Sequence, residues 1–157
     1  MKVIYLDIDQ VLNCHDDNVR LHDTLTNTGL IPDDIYFFSR GDYVVRNKLE
    51  RLQRIVKKYD AKVVIVSSWD TFKNDGEKIC RFLSVPYHSD AFNTGGGIER
   101  GRGVKKHAET YGINKEDYII IDDAGHQMYE DHDRLIHVNG RIGLSDDDES
   151  KISNIWG

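Results

Sequence analysis

The chain has 157 residues, 39% of them hydrophobic and 31% charged, with a formal net charge of −6. That length suits one domain whose core needs no staples, and no apolar run approaches the roughly 18 residues of a membrane span. The acidic balance argues against generic nucleic-acid binding while allowing a local basic groove. The distant Cys14 and Cys80 give no disulfide framework, and the first residues lack the features of a secretory signal, so a cytoplasmic location is expected.

In chain order, Val3-Ile4-Tyr5-Leu6 reads as a buried strand that runs into Asp7-Ile8-Asp9. Taking a carboxylate out of water is costly without partners, so two of them one residue apart mark a bound cation or a strand end open to solvent. Residues 13–45 carry Gly29, Pro32, Gly41 and the apolar cluster Ile35-Tyr36-Phe37-Phe38. A connection of that length in a compact domain is expected to form a flap or lid over the strand ends, and it is too short for a large cap domain. Arg46 to Tyr59 places Leu49, Leu52, Val56 and Tyr59 at helical spacing. The β-branched run Lys62 to Ser67 has the composition of a buried parallel strand. A helix is expected around Glu77 to Leu83, and the glycines from Gly95 to Gly103 read as a flexible connection to another helix over Gly103 to Tyr111. Strands follow at Tyr118 to Ile121 and Leu135 to Val138. Ser145 with Asp148 has the form of a helix N-cap, so Asp146 to Glu149 is read as a solvated first turn and not as a metal site.

Strands alternating with helices predict an α/β, Rossmann-like three-layer fold with a central parallel sheet, and such sheets bind ligands outside the carboxyl ends of their strands. Those ends carry Asp7 and Asp9, then Ser67 and Ser68, then Asp122 and Asp123. Four carboxylates at one rim need a positive partner. Mg²⁺ suits an all-oxygen set and leaves room for water and phosphate. A Mg²⁺ and phosphate site is therefore expected.

These residues resemble the haloacid dehalogenase-like (HAD) hydrolases over nearly the whole chain. Asp7-Ile8-Asp9 with Val11-Leu12 matches that family's first motif, Val63 to Ser67 its second and Asp122-Asp123 its fourth. A closer resemblance is to a small branch in RNA-repair and phage proteins, through Leu6 to Asn13, Ser67-Ser68-Trp69, Arg100-Gly101 with Val104, and Gly143-Leu144-Ser145. The resemblance implies a single phosphatase domain over 1–157 in which Asp7 is the nucleophile and Asp9 the general acid and base. It further implies that Asp7, the backbone carbonyl of Asp9, Asp122 and Asp123 hold or support the metal, and that Ser67, Ser68 and a basic residue bind phosphate oxygens. Arg100 keeps the branch spacing to Val104, Ala108 and Gly112, whereas Arg102 and Lys105 would need a shifted register. Gln10 stands where the family usually has glycine, which bears on substrate shape more than on chemistry.

Several patterns carry less. Cys14 to Arg20 has the C-x5-R spacing of cysteine phosphatases, but its intervening residues are acidic and free of glycine. Arg102-Gly103 replaces the Lys-Ser/Thr that a nucleotide-binding turn requires. His126, Asp131 and His132 lack further ligands at metal-binding spacing. Tyr36, Phe37, Phe38 and Trp69 are candidates for stacking on a base, with core packing the plainer role for some of them.

The expected activity is a Mg²⁺-dependent phosphomonoesterase acting on a nucleotide or the 3'-end of a polynucleotide, with extra nucleotides reaching Arg100, Arg102, Lys105 or Lys106. The alternatives are a small-metabolite phosphatase or phosphotransferase, and, in another class, a non-catalytic phosphate-binding or receiver-like module. A receiver wants its acceptor aspartate at the end of a middle strand, where this chain has Ser67. No obligate protein partner is evident.

Overall fold

The computed structural model describes residues 1–70, 75–125, 127–130 and 132–157. Strand β1 (Lys2–Leu6) leads to helix α1 (His15–Thr28) and the hairpin β2 (Ile35–Ser39) and β3 (Asp42–Val45). Helix α2 (Arg46–Tyr59), strand β4 (Ala61–Ile65), helices α3 (Asp75–Leu83) and α4 (Ile98–Thr110), strands β5 (Tyr118–Asp122) and β6 (Leu135–His137), and helix α5 (Asp146–Trp156) follow. Among the described residues, the strands form one four-stranded sheet in the order β4-β1-β5-β6, every pair parallel, and the separate antiparallel hairpin.

Alternate residues of the sheet enter two cores. Ile4, Leu6, Val63, Ile65, Ile119 and Ile121 face α2, α3 and α5 through Leu52, Ile79 and Ile152. Val3, Tyr5, Val64, Ile120 and Tyr118 face α4 through Val104 and Ala108. Both faces of the sheet are covered, which is why its strands read as unbroken apolar runs. This is the expected three-layer α/β architecture, and it has no large cap domain among the described residues.

Helix α2 occupies the predicted span, because its apolar residues keep a strict helical period. The N-cap at Ser145 is a full capping box with Asp148. Two spans differ from expectation. Residues 13–45, expected as a flap or lid, are not an irregular loop but contain α1 and the β2–β3 hairpin. Helix α4 begins at Ile98, five residues before its predicted start. Its glycines serve close approach, not flexibility: a Cβ on Gly101 would collide with the Met128 carbonyl oxygen, and one on Gly103 would lie 3.0 Å from the Asn93 Cβ. No helix among the described residues is long and apolar enough to cross a membrane.

Candidate active site

The parallel ladder carries the acidic residues to one rim. Asp7 N–H donates to the Ile121 carbonyl at 2.9 Å, Val66 N–H to Leu6 at 2.8 Å, and Val138 N–H to Asp122 at 2.9 Å. These bonds extend the register of β1, β4, β5 and β6 by one residue and set Asp7 beside Asp122, with Ser67 one residue beyond Val66. Carboxylate oxygens of Asp7, Asp122 and Asp123 lie within 4.8 Å of one another. Asp7 and Asp122 are buried and Asp123 is half-buried.

Three carboxylates this close cannot all ionise alone. Burial first, and then the charge of Asp122, pushes Asp7 up to about 9 even though Arg100 pulls the other way. Burial likewise raises Asp123, whose carboxyl hydrogen bonds with that of Asp7. A donor set made only of oxygen, with like charges crowded within 4.8 Å, fits a hard divalent ion such as Mg²⁺.

Of the three basic candidates, Arg100 is the one that reaches the acid cluster. Its Nη1 lies 3.0 Å from Asp122 Oδ2 and 3.5 Å from Asp7 Oδ1, while Nε and Nη2 donate to the carbonyls of Gly95 and Thr94 at 2.8 and 3.0 Å. The alternatives lie elsewhere. Arg102 is exposed and pairs with Glu99, and Lys105 lines a separate hollow with Ala108, Glu109, Ile113, Lys115 and Tyr118. Asp122 is fully satisfied by the protein: Oδ2 accepts from Arg100 and the Tyr129 hydroxyl, and Oδ1 from the Ala124 N–H. Tyr129 is a site residue that no motif announced.

The Asp9 carboxylate stands outside the three-carboxylate group. Its Oδ1 accepts from Asn13 Nδ2 at 3.2 Å and from Trp69 Nε1 at 3.1 Å. Trp69 stacks on Phe38 of the hairpin with centroids 5.5 Å apart, and Asn13 donates to the Tyr43 carbonyl at 2.7 Å. Trp69 and Phe38, both candidates for base stacking, are thus committed to fixing Asp9, while Tyr36 and Phe37 remain exposed. The Ser67 Oγ accepts from the Trp69 N–H at 3.2 Å, and Ser68 is exposed. Gln10 has φ +67°, so it keeps the left-handed conformation that glycine adopts freely, and its N–H donates to Asn13 Oδ1 at 2.9 Å.

The patterns set aside stay aside. The Cys14 thiol donates to Asp17 Oδ2, and Arg20 pairs with Asp34, so Cys14 to Arg20 makes no phosphate loop. His132 lies exposed in a short 3-10 turn. His126 and Asp131 fall outside the described residues.

A second carboxylate pair lies past Trp69. A Cβ on Gly76 would meet Asp90 Oδ1 at 2.8 Å and Asp70 Oδ2 at 3.9 Å, and Oδ1 of both aspartates is buried without a hydrogen-bond partner among the described residues. Burial, then Asp90 and Asp75, pushes Asp70 up to about 6. A folded-state value above the ordinary one of about 3.9 means that the native state holds this proton more tightly, so stability falls as pH rises from about 4 through 6. Asp70→Asn should therefore raise Tm at pH 8 by several degrees, from about 1–3 kcal/mol, and the gap should close at pH 4. Thermal melts of both proteins across that range test this, and a gap independent of pH would remove the linkage.

The fold and this rim define an α/β domain with an acidic, metal-competent centre at the carboxyl ends of a parallel sheet. Compared with known families, residues 3–148 match the HAD domain in Swiss Army Knife RNA repair proteins. The chain belongs to that family. No curated protein and no solved structure matches it.

Proposed function

We propose that the protein is a Mg²⁺-dependent phosphomonoesterase that works through an aspartyl-phosphate on Asp7 and acts on the 3'-terminal phosphate of a nucleotide or polynucleotide. The observation that carries this reading is the division between two carboxylates. Asp7 lies in the acid cluster beside Arg100, whereas Asp9 is held off it by Asn13 and Trp69. In this reading Asp7 attacks phosphorus and Asp9 handles the proton. Membership of a family named for RNA repair supports the substrate class.

Asp7, Asp123 and the Asp9 backbone carbonyl would hold the metal. Asp122 stands behind them, because its oxygens already accept from Arg100, Tyr129 and Ala124. Bound there, Mg²⁺ would neutralise the carboxylates and the transferring oxygens. An Asp7 oxygen attacks phosphorus, the ester P–O bond breaks, and the departing alkoxide takes the proton of the Asp9 carboxyl. In the second step Asp9 accepts a proton from water as the water oxygen attacks phosphorus. Inorganic phosphate leaves and the Asp7 carboxylate is restored. Arg100 keeps the cluster near neutrality and, with the Ser67 hydroxyl and Ser68, faces the phosphoryl oxygens.

Phosphate release from nucleotides, oligonucleotide ends and sugar phosphates, with Mg²⁺ and with chelator, tests the activity. Silence across that panel would falsify it. Asp9→Asn should slow the leaving-group step for an alkyl phosphate at least tenfold more than for an aryl phosphate, because a phenolate needs little protonation to depart. Equal losses in single-turnover measurements would take the proton away from Asp9.

A further inference from the structure

A cleft of about 370 Å³ opens off Asp123, lined by Gln10, His15, Gly140 and Arg141. Asp123 belongs to both the cleft wall and the acid cluster, so the cleft opens directly beside that cluster. The volume lies at the lower end of ligand-sized pockets. Its wall carries two groups suited to an anion in an otherwise acidic protein. Arg141 is exposed, and among the described residues no carboxylate pairs with its guanidinium; His15 is exposed at the start of α1.

The cleft is built, not incidental. Gly140 keeps the way to Asp123 open: a Cβ there would lie 3.1 Å from the Gln10 Cβ and 3.3 Å from Asp123 Oδ2. The turn that carries Arg141 is pinned at several points. Arg141 N–H donates to Asn139 Oδ1 at 3.0 Å, Gly143 N–H to the Asn139 carbonyl at 2.8 Å and Leu144 N–H to Val11 at 2.8 Å. His15 N–H reaches the Gly140 carbonyl at 3.3 Å, tying α1 to the same turn. Gly143, at φ +76°, permits the turn to close on Val11 and Lys48, where a Cβ would come within 2.5 Å of the Lys48 side chain. Arg141 is therefore presented from a fixed backbone, which limits the entropy lost when it grips a ligand.

We propose that Arg141, assisted by His15, is a specificity residue that binds the phosphodiester adjoining the scissile phosphate, so that the preferred substrate is a polynucleotide end carrying at least one internucleotide phosphate. This rests on the phosphatase reading of Asp7 and Asp9. It also moves the basic contact away from α4, where Arg102 pairs with Glu99 and Lys105 faces another hollow. Gln10, with an uncharged amide at the same wall, suits the sugar or base between the two phosphates.

The test compares kcat/KM for a nucleoside 3'-phosphate, the nucleoside 3',5'-bisphosphate and a dinucleotide ending in a 3'-phosphate. Wild type should favour the dinucleotide. Arg141→Ala should cost it about ten- to hundredfold, chiefly in KM, and at least tenfold more than it costs the monophosphate, with Arg141→Lys in between. The wild-type preference should shrink as salt rises. Equal losses on mono- and dinucleotide, or none, overturn the assignment, and a wild-type preference for the bisphosphate over the dinucleotide overturns the polynucleotide source. If wild type releases phosphate from nothing, the catalytic reading has failed, and the subsite is judged by binding alone. The dinucleotide Kd should then weaken at least tenfold between Asp7→Asn and Asp7→Asn with Arg141→Ala, and an unchanged Kd overturns it.

Discussion

Asp7→Asn is expected to lose at least about 10⁴-fold in turnover while making the metal-free protein more stable at neutral pH. The two effects share one cause. Asp7 is buried beside Asp122 and Asp123, and burial and their charge push it up to about 9. A folded-state value so far above the ordinary one of about 3.9 lowers native stability progressively from about pH 4 up to 9, because the unfolded chain gives up that proton far more readily. Asparagine removes the ionisation, and at pH 7.5 without metal it should add about 2 kcal/mol or more, some 4–8 °C in Tm. Mg²⁺ should reverse the order. A cation that binds only the folded state stabilises it by mass action, and the wild-type cluster has the carboxylate that the variant lacks. Calorimetry of both proteins with and without Mg²⁺, beside phosphate release, reads the whole pattern. Residual Mg²⁺-dependent turnover would mean another nucleophile, and a variant less stable than wild type without metal would mean that the cluster is not held under electrostatic strain.

The acid cluster was legible in the sequence because it sits where two strong signals meet: continuous apolar runs that end in carboxylates, and a parallel-sheet rule that aligns the ends of such runs. Helix α2 was legible for the same kind of reason, with Leu49, Leu52 and Val56 on one stripe. Helix α1 was not, since the residue it buries is Asp17, held by Lys48 at 3.0 Å, and it offers no apolar period to read. The hairpin hid behind Ile35-Tyr36-Phe37-Phe38, a run without the alternation that marks a half-buried strand. Glycine misled at α4. Gly101 and Gly103 look like loop residues until Met128 and Asn93 are seen packed against the helix. Trp69 and Asn13 stood inside matched motifs, yet only their hydrogen bonds to Asp9 show what they do. Arg141 lies past the last strand in no motif. Its relevance comes from Leu144 closing back on Val11, a contact across more than a hundred residues of chain.

Arg100→Ala is expected to be the most destabilising single change at the site as well as an inactivating one. Arg100 is buried, and its guanidinium does three jobs at once: it neutralises Asp122, lies 3.5 Å from Asp7, and pins the carbonyls of Gly95 and Thr94 before α4. Burial works against its charge, but the two aspartates outweigh that and raise its affinity for the proton. Removing one partner of a buried pair leaves the other charge uncompensated, which costs about 3–5 kcal/mol, and Asp122 would keep only the Tyr129 hydroxyl and the Ala124 N–H. In a domain of this size, that is a fall of about 6–20 °C in Tm. Arg100→Lys should retain charge without the planar fork, and so recover part of the stability and little of the order in 94–95. The pairing itself is read by a double-mutant cycle. If Arg100 stabilises the fold chiefly by offsetting Asp122, then Asp122→Asn should cost less in the Arg100→Ala background than in wild type, with a coupling of about 1–3 kcal/mol in urea melts without metal. Additive losses would place the role of Arg100 in its bonds to the 94–95 carbonyls, and the carboxylates would then depend on protons or on the metal for their neutrality.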